Sequence, residues 1–123
     1  TQGTAVYHTN VLMCVATEFA MISLNMVPNS QHKQLTSHFI QSHLEVINLS
    51  NEQISSFCGN AIELQGTNGR ILALSQTAFN ALTTEQKAAI QKTAKLVPLP
   101  IPTIESAGGS VRCMIAGIHL QSK

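Results

Sequence analysis

A chain of 123 residues suits one domain. It is 44% apolar and 11% charged, with a net charge of +1 and no basic or acidic block, whereas an ordinary domain is about 25% charged. That balance argues against the positive stripe of a nucleic-acid binder and the polybasic segment of a membrane-surface protein, and it leaves the chain short of solvated surface, as expected if part of it lies against another body.

The chain opens on Thr1-Gln2-Gly3-Thr4 without a charged n-region or a small-residue cleavage site, so no signal peptide is expected. Val11 to Val27 is apolar but carries Thr17, Glu18, Ser23 and Asn25, too polar and short for a membrane span. It reads as two paired strands, Val11–Val15 and Phe19–Leu24, turning at Thr17-Glu18. Pro28-Asn29-Ser30 then punctuates the chain, with Ser30 as a helix cap. Leu35, Phe39, Ile40 and Leu44 recur at helical spacing. Glu45–Leu49 reads as a strand, followed by a short helical turn capped by Ser50 or Asn51.

The order then repeats. Ala61–Leu64 and Ile71–Leu74 are strand-like and joined by the turn Gly66-Thr67-Asn68-Gly69. Thr83 or Thr84 with Glu85-Gln86 resembles a capping box, and the helix is expected to run on through Ala94 and Leu96. Leu96–Ile101 is extended, and its prolines at positions 98, 100 and 102 suit a sheet edge. After Gly108-Gly109 a last strand is expected. The fold class is therefore α/β: two strand-strand-helix-strand units, about residues 5–50 and 57–102, plus a final strand over 110–120. A repeated unit of about 50 residues signals a repeat architecture. Two units leave edges and apolar faces open, so the expected partner is a missing N-terminal part of the same domain or an oligomeric copy.

Chemistry is concentrated at a few positions. Cys14, Cys58 and Cys113 are odd in number and widely spaced, which reads as free thiols in a reducing, cytoplasmic compartment rather than as a disulfide framework. No Cys-x-x-Cys or His-x-x-x-His pair appears, so no metal site is expected. Cys113 sits where a glycine-rich loop meets the expected last strand, open to approach; it is either a nucleophile or a small buried hydrophobe. Arg112, its neighbour, would point to the opposite face of a strand. His8 is either a solvated loop histidine or a general acid/base. Asn10, two residues on in an extended segment, would face the same side and could orient a substrate. Asn60, after the flexible Gly59, could bond a substrate or satisfy a loop, and Gly109 lets a substrate approach the backbone. Cys14 and Cys58 read as core, His32, His38 and His43 as a wet helix face, and His119 as the solvated end of the last strand. Glu63 and Glu105 are the acids nearest the expected strand mouths.

Four segments occur in order: Val6-Tyr7-His8-Thr9-Asn10-Val11-Leu12-Met13-Cys14, Phe57-Cys58-Gly59-Asn60, Pro102-Thr103-Ile104-Glu105 and Gly108-Gly109-Ser110-Val111-Arg112-Cys113-Met114. Together they resemble the C-terminal portion of the amidinotransferase/arginine deiminase superfamily, nearest to its citrulline-utilisation hydrolase or arginine deiminase-related branch. The resemblance implies a five-bladed α/β propeller (the pentein fold) with a central polar site. It also implies Cys113 as nucleophile and His8 as general acid/base, acting on a guanidino, amidine or ureido substrate through a covalent thiouronium-type adduct, with no metal or organic cofactor. Asn10, Asn60 and Gly109 are the expected substrate-binding positions. The chain departs from the family at Asn10, where an acid usually clamps the guanidinium, and it has no counterpart of the acids from the first blades. A non-catalytic binding or assembly member of the same fold is the alternative, and a papain-like cysteine peptidase is a third reading, which expects its thiol at a helix N-terminus.

Overall fold

The structure is a computed structural model that describes residue 6 and residues 8–118. His119 and the last two positions of the expected final strand lie outside the described residues, as do Thr1–Ala5.

Among the described residues two three-stranded sheets form, each from one repeat. In the first, β1 (Met13–Val15) and β2 (Phe19–Ile22) make an antiparallel pair, with Cys14 opposite Met21. Helix α2 (Asn29–Gln41) then crosses over, and β3 (Glu45–Asn48) lies parallel to β2. In the second, β4 (Ile62–Gly66) and β5 (Gly69–Ser75) pair antiparallel, with Glu63 opposite Leu72. Helices α4 (Gln76–Ala81) and α5 (Thr84–Gln91) cross over, and β6 (Lys95–Leu99) lies parallel to β5. The duplicated order read from the sequence is thus a duplicated topology. A short helix α3 (Asn51–Ser55) links the repeats, α1 (Thr9–Leu12) precedes them and α6 (Pro102–Ser106) follows.

The period-2 alternation of a strand explains how the first sheet is buried on both faces. Phe19 and Met21 enter a cluster with Ile47, Leu49, Leu72, Leu74, Ile90 and Leu96, which spans both repeats. Ala20 and Ile22, on the other face, pack with Phe39 of α2. Two capping boxes mark helix starts, one in the link between the repeats and one in the crossover of the second. Ser50 and Gln53 close the start of α3, and Thr83 and Gln86 close the start of α5. Their glutamine amides also pair with each other, Gln53 Nε2 to Gln86 Oε1 at 2.7 Å and Gln86 Nε2 to Gln53 Oε1 at 3.1 Å. Among the described residues, both ion pairs likewise cross between repeats: Arg70–Glu18 at 2.8 Å and Lys92–Glu45 at 3.0 Å.

Several expectations are corrected. Residues 110–118 form no strand: Val111–Met114 is a 3₁₀ turn. Its main-chain donors go elsewhere, Arg112 N to Asn60 O at 3.3 Å and Cys113 N to Ser110 O at 3.0 Å, so no ladder is left to make. Thr9–Leu12 before β1 is helical and His8 is its extended cap residue, so the two do not share one extended segment and the strand alternation that would point His8 and Asn10 the same way does not apply. Helix α2 starts before Ser30, with Pro28 in the cap position and its carbonyl accepting from Gln31 N at 2.8 Å. Ile40, expected on the packed face of that helix, is 64% exposed. Helix α5 stops at Gln91 because Lys95–Leu99 pairs with β5, placing Pro98 opposite Leu74 on the edge strand. Helices α4 and α6 were not expected from the sequence; α4 is capped by Ser75, whose Oγ accepts from Ala78 N, and Pro102, read as part of an extended edge, instead opens α6.

Candidate functional site

Three segments distant in sequence meet at Cys113. Helix α1 delivers Asn10, the turn after α3 delivers Asn60, and the 3₁₀ turn carries the thiol. The turn after α3 is tight. Phe57 adopts a positive φ of 65°, Cys58 N bonds Gln53 O at 2.9 Å, and Asn60 N bonds Phe57 O at 2.9 Å. Gly59 packs directly on α1: a Cβ there would overlap the Val11 carbonyl oxygen and the Leu12 carbonyl carbon. Only glycine lets the turn sit this close, and that contact puts Asn60 beside Asn10.

Asn60 is 1% exposed, and its amide is fully engaged. Nδ2 donates to Cys113 Sγ at 3.1 Å and to the Asn10 carbonyl at 3.0 Å; Oδ1 accepts from Cys113 N at 3.3 Å. Asn10 Nδ2 lies 4.0 Å from the same sulfur. A buried amide therefore ties α1 to the cysteine turn and aims a donor at sulfur. Gly108, at φ 87°, turns the chain out of α6 in a conformation that favours glycine. Gly109 sits against Cys113, where an added Cβ would lie 3.6 Å from the cysteine Cβ, an ordinary contact.

The three thiols differ sharply. Cys113 is exposed, whereas Cys14 and Cys58 are buried. Burial pushes the Cys14 thiol up to about 12; the Glu63 carboxylate adds to that rise and the Arg112 guanidinium opposes it. Burial pushes Cys58 up to about 12 as well, opposed by Lys87. Its Sγ donates to the Ala78 carbonyl at 3.4 Å. At neutral pH both are protonated core residues, in keeping with their apolar sequence setting.

His8 is exposed and occupies the cap position of α1, its carbonyl accepting from Val11 N at 3.1 Å. His32 turns its Nε2 to the Val27 carbonyl at 2.7 Å, while His38 and His43 are exposed on α2 and just after it. A cleft of about 320 Å³ is lined by residues that include Asn10, Met13, Cys14, Ala61, Glu63 and Arg112. Arg112 reaches this cleft because a 3₁₀ turn does not impose the opposed faces of a strand. Its Nη1 donates to the Ile115 carbonyl at 3.2 Å. Glu63 is held by Thr17, whose main-chain N and Oγ1 both donate to Oε1. Glu105 accepts from Thr77 Oγ1 at 2.7 Å. Sequence reading missed Thr17 and the place of Arg112, since neither carries a local signal; the positive φ of Phe57 is equally silent. Among the described residues, no three His, Cys, Asp or Glu side chains gather closely enough to hold a metal, and no helix is long and apolar enough to cross a membrane.

The family model described as N,N dimethylarginine dimethylhydrolase, eukaryotic, matches residues 1–120. A search of curated proteins found no match. Among solved structures the chain is similar to apo ArgZ, an arginine dihydrolase from the ornithine-ammonia cycle in cyanobacteria. Identity there is 15% and the TM-score 0.65, over 87% of this chain and 16% of that one. It is also similar to the N-terminal domain of ArgZ bound to product, at 13% identity and a TM-score of 0.63, covering 87% of this chain and 36% of that one. A mutant of that domain bound to substrate gives 12% identity and 0.62, over 86% and 36%. The chain thus spans 36% or less of the length of these structures, and at such identities the likeness is one of fold.

Proposed function

The chain belongs to the eukaryotic N,N dimethylarginine dimethylhydrolase family, and from that premise we propose that it forms part of a cysteine-dependent hydrolase of guanidino C–N bonds. This places it in the amidinotransferase, or pentein, superfamily. Its two repeats are two of five blades, the rest supplied from outside these 123 residues. The observation that carries the reading is the convergence on one exposed thiol of two asparagine amides, 103 and 53 residues away in sequence.

The reaction follows from the chemistry of that thiol. The thiolate is the nucleophile, and a donor held on sulfur by a buried amide stabilises negative charge there. Cys113 Sγ attacks the guanidinium carbon, forming an S–C bond. The C–N bond to the leaving amine breaks as His8 gives that nitrogen a proton. Water, deprotonated by the same imidazole, then attacks the S-bound carbon, and the S–C bond breaks to return the thiolate. Asn60 is a positioning residue here, since its amide is taken up by Cys113 and Asn10 rather than left for a ligand. Gly109 keeps the approach to sulfur unobstructed. The substrate class is a planar cation, a guanidino compound such as arginine or its N,N-dimethyl derivative, and the reaction is carried by side chains alone.

The test is amine and ammonia release from arginine and N,N-dimethylarginine by the protein carrying this chain, with Cys113→Ser alongside. Turnover that vanishes in Cys113→Ser with the fold retained supports the reading. Undiminished turnover in that variant removes Cys113 as nucleophile.

A further inference from the structure

Two amides face the thiol, and they are not equivalent. An amide nitrogen carries two hydrogens. Asn60 spends both, one on Cys113 Sγ at 3.1 Å and the other on the Asn10 carbonyl at 3.0 Å, and its Oδ1 takes Cys113 N at 3.3 Å. Cys113 N also bonds Ser110 O, and Arg112 N bonds Asn60 O. These donors are used up by the fold. Asn10 differs. Its Nδ2 lies 4.0 Å from the same sulfur, in an exposed pair, too long a contact to commit a hydrogen. Its Oδ1 is buried, so the amide turns its nitrogen, not its oxygen, toward the thiol. Asn60 holds the Asn10 carbonyl, and Gly59 packs on Val11 and Leu12, so the donor is fixed before any reaction begins.

A donor at that distance from sulfur is within reach of an atom carried by the carbon that sulfur binds. In the first half of the reaction that carbon carries only nitrogens, and those of a guanidinium are donors themselves. The second half puts an oxygen there. Water attacks the carbon of the adduct, a C–O bond forms and one proton goes to the imidazole. The S–C bond then breaks, its electron pair returns to sulfur, the oxygen closes a C=O bond and its last proton passes to solvent. Negative charge gathers on the oxygen as this happens, and a fixed N–H aimed at it lowers the barrier. We propose that Asn10 is a catalytic residue of the second half-reaction: its amide N–H receives the oxygen that water brings, and so directs the adduct to hydrolysis rather than to transfer onto an amine. A carboxylate at position 10 would meet that oxygen lone pair to lone pair. An amine attacking in place of water leaves N–H donors on the carbon, and Nδ2 then has nothing to bond. The role presupposes Cys113 as the nucleophile.

The experiment makes the adduct without a leaving group. The Cys113 thiolate adds to the nitrile carbon of cyanamide, the nitrogen takes protons from water, and the S-amidino adduct results directly. Water then releases urea from it, and methoxyamine, added as a competing nitrogen nucleophile, releases methoxyguanidine. Peptide mass spectrometry follows the lifetime of the adduct after cyanamide is removed, and chromatography gives the ratio of the two products. Both are measured on the protein carrying this chain and on its Asn10→Ala and Asn10→Asp variants. The product ratio depends on how the adduct breaks down, not on how fast it forms. Both substitutions are expected to lengthen the lifetime about a hundredfold, the low end of the loss of one oxyanion donor, and to move the products toward methoxyguanidine by a similar factor. Asn10→Asp keeps the shape of the side chain and so separates a lost donor from lost packing. A ratio that both variants leave as in wild type, whatever the lifetime does, overturns the role of Asn10 while Cys113 stands. A wild-type protein in which cyanamide yields neither a Cys113 adduct nor urea overturns the nucleophile assignment, and the role of Asn10 with it.

Discussion

Both ends of the Asn60 amide serve one loop, which makes its replacement informative. Asn60→Ala strips a donor from Cys113 Sγ and an acceptor from Cys113 N. It is expected to slow iodoacetamide labelling of Cys113 and to cost about 1–3 kcal/mol, since buried partners lose their bonds. Asn60→Asp puts a carboxylate against the sulfur and is expected to slow labelling further, because a like charge disfavours thiolate. Labelling rates and urea midpoints separate the two effects; labelling that is faster in Asn60→Asp contradicts the orientation of the amide. The buried thiols give a pH prediction. Cys14 and Cys58 are raised to about 12 in the folded chain from an ordinary value of 9.0. Above pH 9 the unfolded chain releases these protons and the folded chain keeps them, so the folded state loses ground as pH rises toward 12. Urea midpoints are expected to hold below pH 9 and to fall above it. Cys58→Ala, less stable at pH 7 for want of packing, is expected to show a shallower alkaline decline; an unchanged slope would mean that this thiol does not titrate on unfolding.

The helices end and begin by identifiable devices. After α2, His43 adopts φ 58°, its N–H bonding Ile40 O at 2.9 Å while Leu44 N bonds Phe39 O at 2.9 Å. This is a Schellman ending, a place where glycine avoids the Cβ cost of the left-handed region. His43→Gly is therefore expected to raise stability by about 0.5–1 kcal/mol, read as a higher thermal midpoint; a lower midpoint would mean that the imidazole makes a compensating contact. The paired capping glutamines matter more. Gln53 Nε2 also reaches the Ala81 carbonyl at 2.9 Å, and Gln86 Nε2 the Asn48 carbonyl at 2.8 Å. Each amide closes its own helix and ties one repeat to the other. Gln53→Ala is expected to cost about 1–3 kcal/mol by leaving the half-buried Ala81 carbonyl and the Gln86 amide without this partner, more than the loss of either cross-repeat ion pair, since exposed pairs contribute about 0–1 kcal/mol. Comparing Gln53→Ala with Glu18→Ala by urea unfolding checks that order.

At the scale of the molecule, one apolar cluster draws on both sheets, so the repeats are expected to unfold in a single transition. Hydrogen exchange that protects β2 and β5 to the same free energy would bear this out; a weaker second repeat would separate them. Leu72→Ala, in that cluster, is expected to cost about 2–5 kcal/mol and to lower protection in both repeats. The duplicated strand-strand-helix-strand order, the α/β class and the superfamily were legible in the sequence, because hydrophobic period, turn chemistry and short motifs are local signals. The capping boxes at Ser50 and Thr83 were legible for the same reason. The strand expected after Gly109 and the long second helix were misread, because an apolar run does not say which donors its backbone will meet. At Cys113 those donors meet Asn60; at Lys95 they meet β5. What the residues alone determined is therefore the kind of fold and the family of chemistry. What the tertiary structure decided is that Asn60 closes around sulfur and that Arg112 shares a cleft with Glu63. Those facts depend on contacts 49 to 53 residues apart in sequence, and no local pattern encodes which distant backbone will press against a glycine.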